Sequence, residues 1–250
     1  MTTKYGQLTP ALIAKLKKII GETNVLTQEE EREKYTCDEM PVPKPHLPDV
    51  VVKPTDTESV AKVMVFANEH KIPVTPRGGG TGLVGGAVPI LGGILLSLER
   101  MNKIIEIDTH NFVAVVEAGV TLSDLYKAAE EHGLYYPVYP GETNATVGGT
   151  VATNAGGMRA VKYGVTRHFV LGLTAVLSSG QIIRTGGKFV KYTTGYDLTQ
   201  LLVGSEGTLA IITETILRLN TPPAKTEVLF IPFPSIEGAI DTVPEILRLG

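Results

Sequence analysis

The sequence predicts a protein of the α+β class, in which amphipathic helices and short strands follow one another along most of the chain. Segments 10–20 and 122–132 place apolar residues at helical spacing. Segments 94–98 and 170–177 are short apolar runs, which are typical of buried strands. Of the 250 residues, 43% are hydrophobic and 20% are charged, as in ordinary globular proteins. This composition excludes a disordered tail, a coiled coil and a fibre.

The first predicted helix begins after Thr9, which can cap it, and has Pro10 in its first turn. It ends at Gly21, because glycine is the usual residue beyond a helix C-terminus. A short acidic helix is predicted over 28–34. A proline-rich extended stretch then leads into a strand over 50–53, since closely spaced prolines forbid a helix there.

The central part of the chain mixes helices with strands. Thr55 and Glu58 match a capping box for a helix that continues towards His70. Thr121 can cap a second helix over 122–132, which stops at a glycine. Short apolar runs between turn residues predict strands over 72–75, 94–98, 103–107, 112–118, 170–177, 181–185 and 209–219.

The last part of the sequence predicts the beginning of a second unit. The segment NTPPAK, residues 220–225, has the composition of a linker. A strand over 228–231 and a helix capped by Ser235 are predicted after it. Two elements alone cannot bury an apolar face. We therefore expect the chain to be a fragment, or one half of a protein assembled from two pieces.

Charge and cysteine content exclude several kinds of partner and site. The formal net charge of −3 and a sequence pI near 6.0 provide no basic surface for nucleic acid. The single cysteine, Cys37, excludes a disulfide framework and a cysteine-based metal site, and the histidines are not paired as metal ligands. The N-terminus lacks the features of a secretory signal, and every apolar run is far shorter than a membrane span. We expect a soluble cytoplasmic protein without a membrane span, a nucleic-acid partner or a metal.

Glycine is the one residue type in excess, with 27 of 250 residues. The glycines gather in four clusters, at 78–93, 141–157, 186–195 and 204–207. Dense glycine inside a folded domain indicates that the backbone approaches a ligand closely, commonly one that carries phosphate. The alternative for the first cluster is a flexible hairpin tip.

Two common phosphate-binding motifs do not explain these clusters. Residues 80–85 satisfy the G-x-G-x-x-G pattern of a Rossmann unit, but the glycine- and proline-rich sequence that follows cannot open the required helix. Gly187-Lys188 is followed by Phe189, which excludes a Walker A loop. We interpret PRGGGTG, residues 76–82, as a loop whose successive N–H groups bind an anion. The small residues of 140–164 leave room for a large flat ligand.

Four motifs together resemble a known family. PRGGGTGLVGG, then PGETNATVGGTVATNAGG with KYG, then TGYDL and GSEGTLAIIT are similar to the FAD-binding half of the vanillyl-alcohol-oxidase-type (PCMH-type) flavoproteins. The most similar branch contains the glycolate oxidase flavin subunit, D-lactate dehydrogenase and D-2-hydroxyglutarate dehydrogenase. The resemblance extends from about Asp49 to Leu219, and the beginning of the cap domain resembles residues 226–250.

The resemblance implies a two-part FAD-binding domain, an α/β subdomain followed by an α+β subdomain, and then the truncated start of a cap domain. The FAD would lie extended between the two parts. The implied segments are a lead-in over 1–48, the FAD-binding domain over 49–219, divided into 49–118 and 119–219, and the linker with the incomplete cap domain over 220–250.

The resemblance also implies the FAD ligands. Residues 76–82 would bind the pyrophosphate through N–H groups, 140–146 and 153–156 would line the flavin and ribityl chain, and 206–212 would hold the adenosine side. The first loop has no histidine, so FAD is expected to be bound without a covalent link. The catalytic histidine and the metal of this branch lie beyond this chain, so no catalytic or metal residue is assigned. The candidate cofactor-binding residues are Pro76, Arg77, Gly78, Gly79, Gly80, Thr81, Gly82, Pro140, Gly141, Glu142, Thr143, Asn144, Ala145, Thr146, Gly149, Thr153, Asn154, Ala155, Gly156, Glu206, Gly207, Ile211 and Ile212.

Several single residues retain two interpretations. Arg77 can assist the pyrophosphate or be a solvated turn residue. Glu142 and Glu206 can accept hydrogen bonds from sugar hydroxyls or close their own turns. His168 can lie near the flavin, although a histidine with local hydrogen bonds is the simpler expectation. Cys37 has no evident base nearby and is interpreted as structural.

The resemblance implies an FAD-dependent oxidoreductase that transfers a hydride from a small D-2-hydroxy acid, of the D-lactate or glycolate type, to the flavin. The electrons are expected to pass to a dye or to a protein partner, such as an iron–sulfur subunit or an electron-transfer flavoprotein. The alternative is an FAD-carrying module that docks a partner and has no turnover alone, because the cap and C-terminal half are missing. A related reductase of an enolpyruvyl sugar nucleotide matches the TGYDL and NAGG segments less well.

Overall fold

Residues 5–41 and 44–249 are described by a computed structural model, and they form two β-sheets with helices packed against them. The helices are α1 Pro10–Ile20, α2 Glu29–Arg32, α3 Thr57–His70, α4 Leu122–Glu131, α5 Val147–Thr153, α6 Ala160–Tyr163, α7 Leu198–Leu202 and α8 Ile236–Arg248. The strands are β1 Val25–Leu26, β2 Val50–Val52, β3 Val74–Arg77, β4 Ile94–Ser97, β5 Ile104–Asp108, β6 Val113–Glu117, β7 Val170–Leu177, β8 Ile182–Gly186 and β9 Ala210–Arg218. Residues 1–4, 42–43 and 250 lie outside the described residues, and with them two positions of the predicted proline-rich stretch.

The first sheet has the strand order β1-β2-β4-β3. Its central strand, β4, is parallel to both neighbours, and Leu95 pairs with Val51 on one side and with Thr75 on the other. β1 adds an antiparallel edge. The apolar residues of β4 are completely buried, as expected for a parallel strand that is covered on both faces.

The second sheet is antiparallel throughout, with the order β5-β6-β9-β7-β8. Helix α3 joins the two sheets, because its buried residues Val60 and Val63 share one core with Leu96 of β4, Val176 of β7 and Ile211 of β9. The predicted α+β class is therefore confirmed, and the structure has two sheets. The longest described helix is α3, and its 14 residues are too few to cross a lipid bilayer.

Most predicted elements form within a few residues of their expected bounds, and β7 has the bounds that the sequence predicts. The capping box predicted for α3 is wrong by one residue. Asp56, and not Thr55, is the N-cap, and its carboxylate accepts a hydrogen bond from the N–H of Ser59 at 2.7 Å. The Thr55 hydroxyl donates instead to the Asp56 carboxylate, at 3.2 Å.

The strand predicted over 228–231 is wrong. Val228 and Phe230 are 93% and 92% exposed, and this segment pairs with no strand of the described chain. A strand needs a neighbour to satisfy its backbone groups, so β propensity alone did not form one here. The following helix, α8, does form. Its N-cap is Ser235, as predicted, with an oxygen that accepts from the N–H of Gly238 at 3.1 Å.

Helix α5 lies inside the second glycine cluster, where the sequence predicts no helix. Two glycines and several β-branched residues make this segment a poor helix by propensity. Tertiary packing stabilises it instead. A Cβ on Gly148 would lie 2.5 Å from the Ala118 Cβ, so glycine allows α5 to approach the end of β6.

Candidate cofactor-binding site

The first glycine cluster begins where β3 ends, at Arg77. Residues 78–82 therefore leave the carboxyl end of a parallel strand, which is a common position for ligand-binding loops in α/β sheets. The neighbouring strand ends beside it, where the N–H of Leu98 donates to the Arg77 carbonyl at 3.0 Å. Because β3 and β4 are parallel, the loop that connects them is not a hairpin tip, and that alternative is wrong.

The N–H groups of residues 78–82 are free to bind a ligand. None of them donates a hydrogen bond to an acceptor among the described residues. Gly80 has a φ of 74°, in the left-handed region, whereas the other residues of this stretch do not have positive φ values. Successive N–H groups in a nest conformation form an anion-binding concavity. The free N–H groups agree with such a loop, and its assignment as a phosphate site stays a prediction.

Close packing explains why the loop consists of glycine. A Cβ on Gly78 would lie 2.3 Å from the Thr146 hydroxyl oxygen, and a Cβ on Gly79 would lie 3.0 Å from the Asn144 carbonyl oxygen. The backbone of the first motif therefore rests directly on the second motif. Side chains at these positions would separate the two segments.

Arg77 supports the loop and is tied to the N-terminal part of the chain. Its Nη1 donates to the Cys37 carbonyl at 2.7 Å, and its guanidinium lies 5.7 Å from the centre of the Tyr35 ring. Burial lowers the pKa of Arg77 from its ordinary value, and negative groups nearby, including Asp38, oppose that effect. Arginine nevertheless keeps its charge at neutral pH. Arg77 adds a fixed positive charge to the base of the loop.

The glycine loop, α5 and β9 together line a cleft with a volume of about 300 Å³. This volume is at the lower end of the range for small-molecule sites, roughly 300–1,000 Å³. Most of the candidate residues line it, and they are Pro76, Arg77, Gly78, Gly79, Gly80, Thr81, Gly82, Pro140, Glu142, Ala145, Thr146, Gly149, Thr153, Ala155, Glu206, Gly207, Ile211 and Ile212. Tertiary structure therefore brings the separate motifs together around one space.

The other candidate residues, Gly141, Thr143, Asn144, Asn154 and Gly156, do not line the cleft. Asn154 ends α5 with a φ of 50°, and its side-chain oxygen accepts from the N–H of Arg167 at 2.9 Å. The Thr143 carbonyl accepts from the N–H of Ser123 at 3.0 Å. These residues shape the loops around the cleft, and their assignment as FAD ligands stays a prediction.

Ala210 lies within the expected segment 206–212, but sequence reasoning missed further residues that line the cleft: Asp38, Glu39, Leu83, Val84, Gly86, Ala87, Leu98, Gly148, Thr150 and Ala152. Gly148, Thr150 and Ala152 belong to α5. Had this helix been recognised in the sequence, its spacing would have predicted that they share a face with other cleft residues. Asp38 and Glu39 come from outside every glycine motif. Nothing in the local sequence indicates that they reach the cleft.

The cleft offers a phosphate neutral N–H donors and only one cationic side chain among its described lining residues. Among its described lining residues, the carboxylates of Asp38, Glu39, Glu142 and Glu206 accompany one cation, Arg77. An anion would therefore depend on backbone N–H groups, while carboxylates suit hydroxyl or N–H donors. Glu142 also closes its own turn, because its Oε1 accepts from the N–H of Asn144 at 2.7 Å.

His168 is not part of the cleft lining. Its Nδ1 accepts a hydrogen bond from the N–H of Val165 at 3.0 Å. This local bond agrees with the simpler of its two interpretations. Cys37 is exposed, and its side chain does not line the cleft.

Comparison with known proteins agrees with this geometry. Residues 48–186 match the family described as FAD binding domain. D-lactate dehydrogenase of Anaerostipes hadrus is 50% identical over 242 residues, which are 97% of this chain and 51% of that protein. Glycolate oxidase subunit GlcD of Bacillus subtilis is 45% identical over 202 residues, which are 80% of this chain and 43% of that protein. The chain spans about half the length of curated relatives that it matches.

Solved structures show the same fold. An alkyldihydroxyacetonephosphate synthase superimposes with a TM-score of 0.83 at 21% identity, over 99% of this chain and 47% of that one. A p-cresol methylhydroxylase with substrate bound has a TM-score of 0.74 at 26% identity, over 86% of this chain and 44% of that one. The match of a family profile to more than half of the residues is decisive: this chain belongs to the FAD binding domain family, which confirms the predicted family and FAD as its cofactor.

Proposed function

We propose that this chain binds FAD without a covalent link in the cleft and forms the flavin-holding part of an oxidoreductase. The proposed substrates are small D-2-hydroxy acids of the D-lactate or glycolate type. The observation that carries the proposal is that residues 78–82 line a cleft of ligand size and that their N–H groups donate to no acceptor among the described residues. The names of the relatives, D-lactate dehydrogenase and glycolate oxidase subunit, support the substrate class.

The residues of the cleft fit a dinucleotide. The N–H groups of 78–82 would hold its diphosphate, and the glycines allow the main chain to approach without side chains between. Ile211 and Ile212 of β9 also line the cleft, and both are buried. The chemistry that bound FAD supplies is acceptance of a hydride by its isoalloxazine ring. The role of this chain is to position that ring and neutralise the phosphates.

The first loop, residues 76–93, contains no histidine, which supports non-covalent binding. The proposed route for electrons beyond the flavin is a protein partner, an iron–sulfur subunit or an electron-transfer flavoprotein. Transfer to an artificial dye would report the same step.

The second candidate is an FAD-carrying module that docks a partner and does not turn over substrate by itself. The observation that favours it is the exposure of apolar side chains in the part of the sequence that follows β9. None of the side chains of α8 is buried, and Val228, Leu229 and Phe230 before it are almost fully exposed.

An absorbance spectrum of the purified chain tests FAD binding. We expect flavin bands, and acid precipitation should release the chromophore into the supernatant as FAD. A colourless protein that takes up no added FAD would refute the proposal, and flavin retained in the pellet would refute the non-covalent link.

Dye reduction then separates the two candidates. When the chain is joined to the C-terminal half of a D-lactate dehydrogenase relative, we expect reduction with D-lactate or glycolate and none with L-lactate, which has the same groups in the opposite configuration. An FAD-loaded protein joined in this way that reduces dye with neither acid would favour the second candidate.

A further inference from the structure

Asp38 carries a buried oxygen that the protein leaves without a hydrogen-bond donor. The residue is 9% exposed, and its Oδ2 has no partner among the described residues. Its other oxygen, Oδ1, accepts from the N–H of Met40 at 3.1 Å. A buried carboxylate oxygen without a donor is destabilising, so such a group in a folded protein calls for an explanation.

The position of Asp38 is fixed by contacts with the glycine loop. The carbonyl of Cys37, on one side of it, accepts from Arg77 at 2.7 Å. The N–H of Glu39, on the other side, donates to the Gly82 carbonyl at 3.0 Å. With both neighbours held, Asp38 lines the cleft, and its Oδ2 lies 3.7 Å from where a Cβ on Gly82 would stand.

The chemistry of the neighbouring loop defines what Oδ2 can bind. Residues 78–82 offer N–H donors to an anion such as a diphosphate. The Asp38 carboxylate beside them would repel a phosphate placed against its own oxygen. A neutral donor next to the proposed diphosphate, such as a hydroxyl, is therefore the ligand group that suits Oδ2 best. In a dinucleotide, the groups adjacent to the diphosphate are the hydroxyls of its two sugar portions.

We propose that Asp38 is a binding residue of this site, whose Oδ2 accepts a hydrogen bond from a sugar hydroxyl of the flavin dinucleotide. This inference rests on the proposed binding of FAD. The hydroxyl belongs either to the ribose on the adenine side or to the ribityl chain on the flavin side.

Titration of the apo form with FAD, followed by flavin fluorescence, tests the proposal with the variants Asp38→Asn and Asp38→Ala. We expect the dissociation constant to rise about 10- to 100-fold in both variants, as for loss of a hydrogen bond to a charged group. The melting temperature of apo Asp38→Asn should stay close to that of the original chain, because asparagine keeps an oxygen for the N–H of Met40, whereas Asp38→Ala loses that hydrogen bond and should melt lower. A merely structural Asp38 would instead lower the apo melting temperature in Asp38→Asn while leaving its FAD affinity unchanged.

Glu33→Gln is the matched control, because Glu33 lies on the same N-terminal segment, is exposed and does not line the cleft. We expect its dissociation constant to stay within about threefold of the original chain, since an exposed charge contributes little. Equal weakening in Glu33→Gln and Asp38→Asn would overturn the proposal, and so would tighter binding by Asp38→Asn, which simple charge repulsion from the phosphates predicts.

Two fragments of the ligand identify the hydroxyl. ADP carries the ribose and FMN carries the ribityl chain, so the variants should lose affinity for only one of them. If the original chain does not bind FAD, the proposed function fails and the inference fails with it. If the chain binds FAD and the Asp38 variants bind equally well, the inference alone is refuted.

Discussion

Gly82→Val tests whether the cleft itself holds FAD, without disturbing the fold. The φ angle of Gly82 lies outside the left-handed region, so valine brings no backbone strain. The nearest atom to an added Cβ is the Asp38 Oδ2 at 3.7 Å, an ordinary van der Waals distance. The free energy of unfolding of the apo form should therefore change by about 0.5 kcal/mol or less, as for most substitutions that break no contact.

The effect of Gly82→Val on FAD affinity should be much larger. The isopropyl group would stand among the N–H groups proposed to hold the diphosphate, and we expect at least a 100-fold rise in the dissociation constant, about 2.7 kcal/mol. Gly148→Ala is the contrasting variant. Its Cβ would lie 2.5 Å from the Ala118 Cβ, so overpacking should lower the free energy of unfolding by about 1–3 kcal/mol.

Urea unfolding of the apo forms and fluorescence titration with FAD measure these two quantities. Full FAD affinity in Gly82→Val would show that the cleft is not the site. A large loss of apo stability in the same variant would show that the space beside Gly82 is not open.

Three further substitutions test the supports of the site. Arg77→Ala removes the donor to the Cys37 carbonyl and should lower the free energy of unfolding by about 1–3 kcal/mol in urea. Asp56→Ala removes the cap of α3 and should cost about 1 kcal/mol in the same assay. Burial opposes ionisation of Glu99, but hydrogen bonds from Lys53 and two hydroxyl groups outweigh it and hold the pKa of Glu99 below its ordinary value. The ionised Glu99 carboxylate therefore stabilises the fold above its unfolded-state pKa, and this stabilisation is lost as the pH falls through its folded-state pKa. The melting temperature should consequently fall less on acidification in Glu99→Gln than in the original chain. Equal falls in both proteins would contradict this assignment.

The sequence by itself determined the elements whose signals are local. Thr9 and Pro10 begin α1, Gly21 follows its end, and the apolar run over 170–177 forms β7. The glycine motifs could also be identified from the sequence as places of close backbone approach, because such an approach requires residues without side chains. Most candidate ligands came from these motifs and line the cleft.

Tertiary structure alone decided the features that depend on distant neighbours. Helix α5 forms against its propensity because Gly148 packs on Ala118, whereas the apolar run over 228–231 remains without a strand partner in the described chain. Asp38 reaches the cleft only because contacts separated by about 40 residues hold it against the glycine loop. A cap or a turn is fixed by bonds within a few residues, but burial and pairing depend on which segments the whole fold brings together.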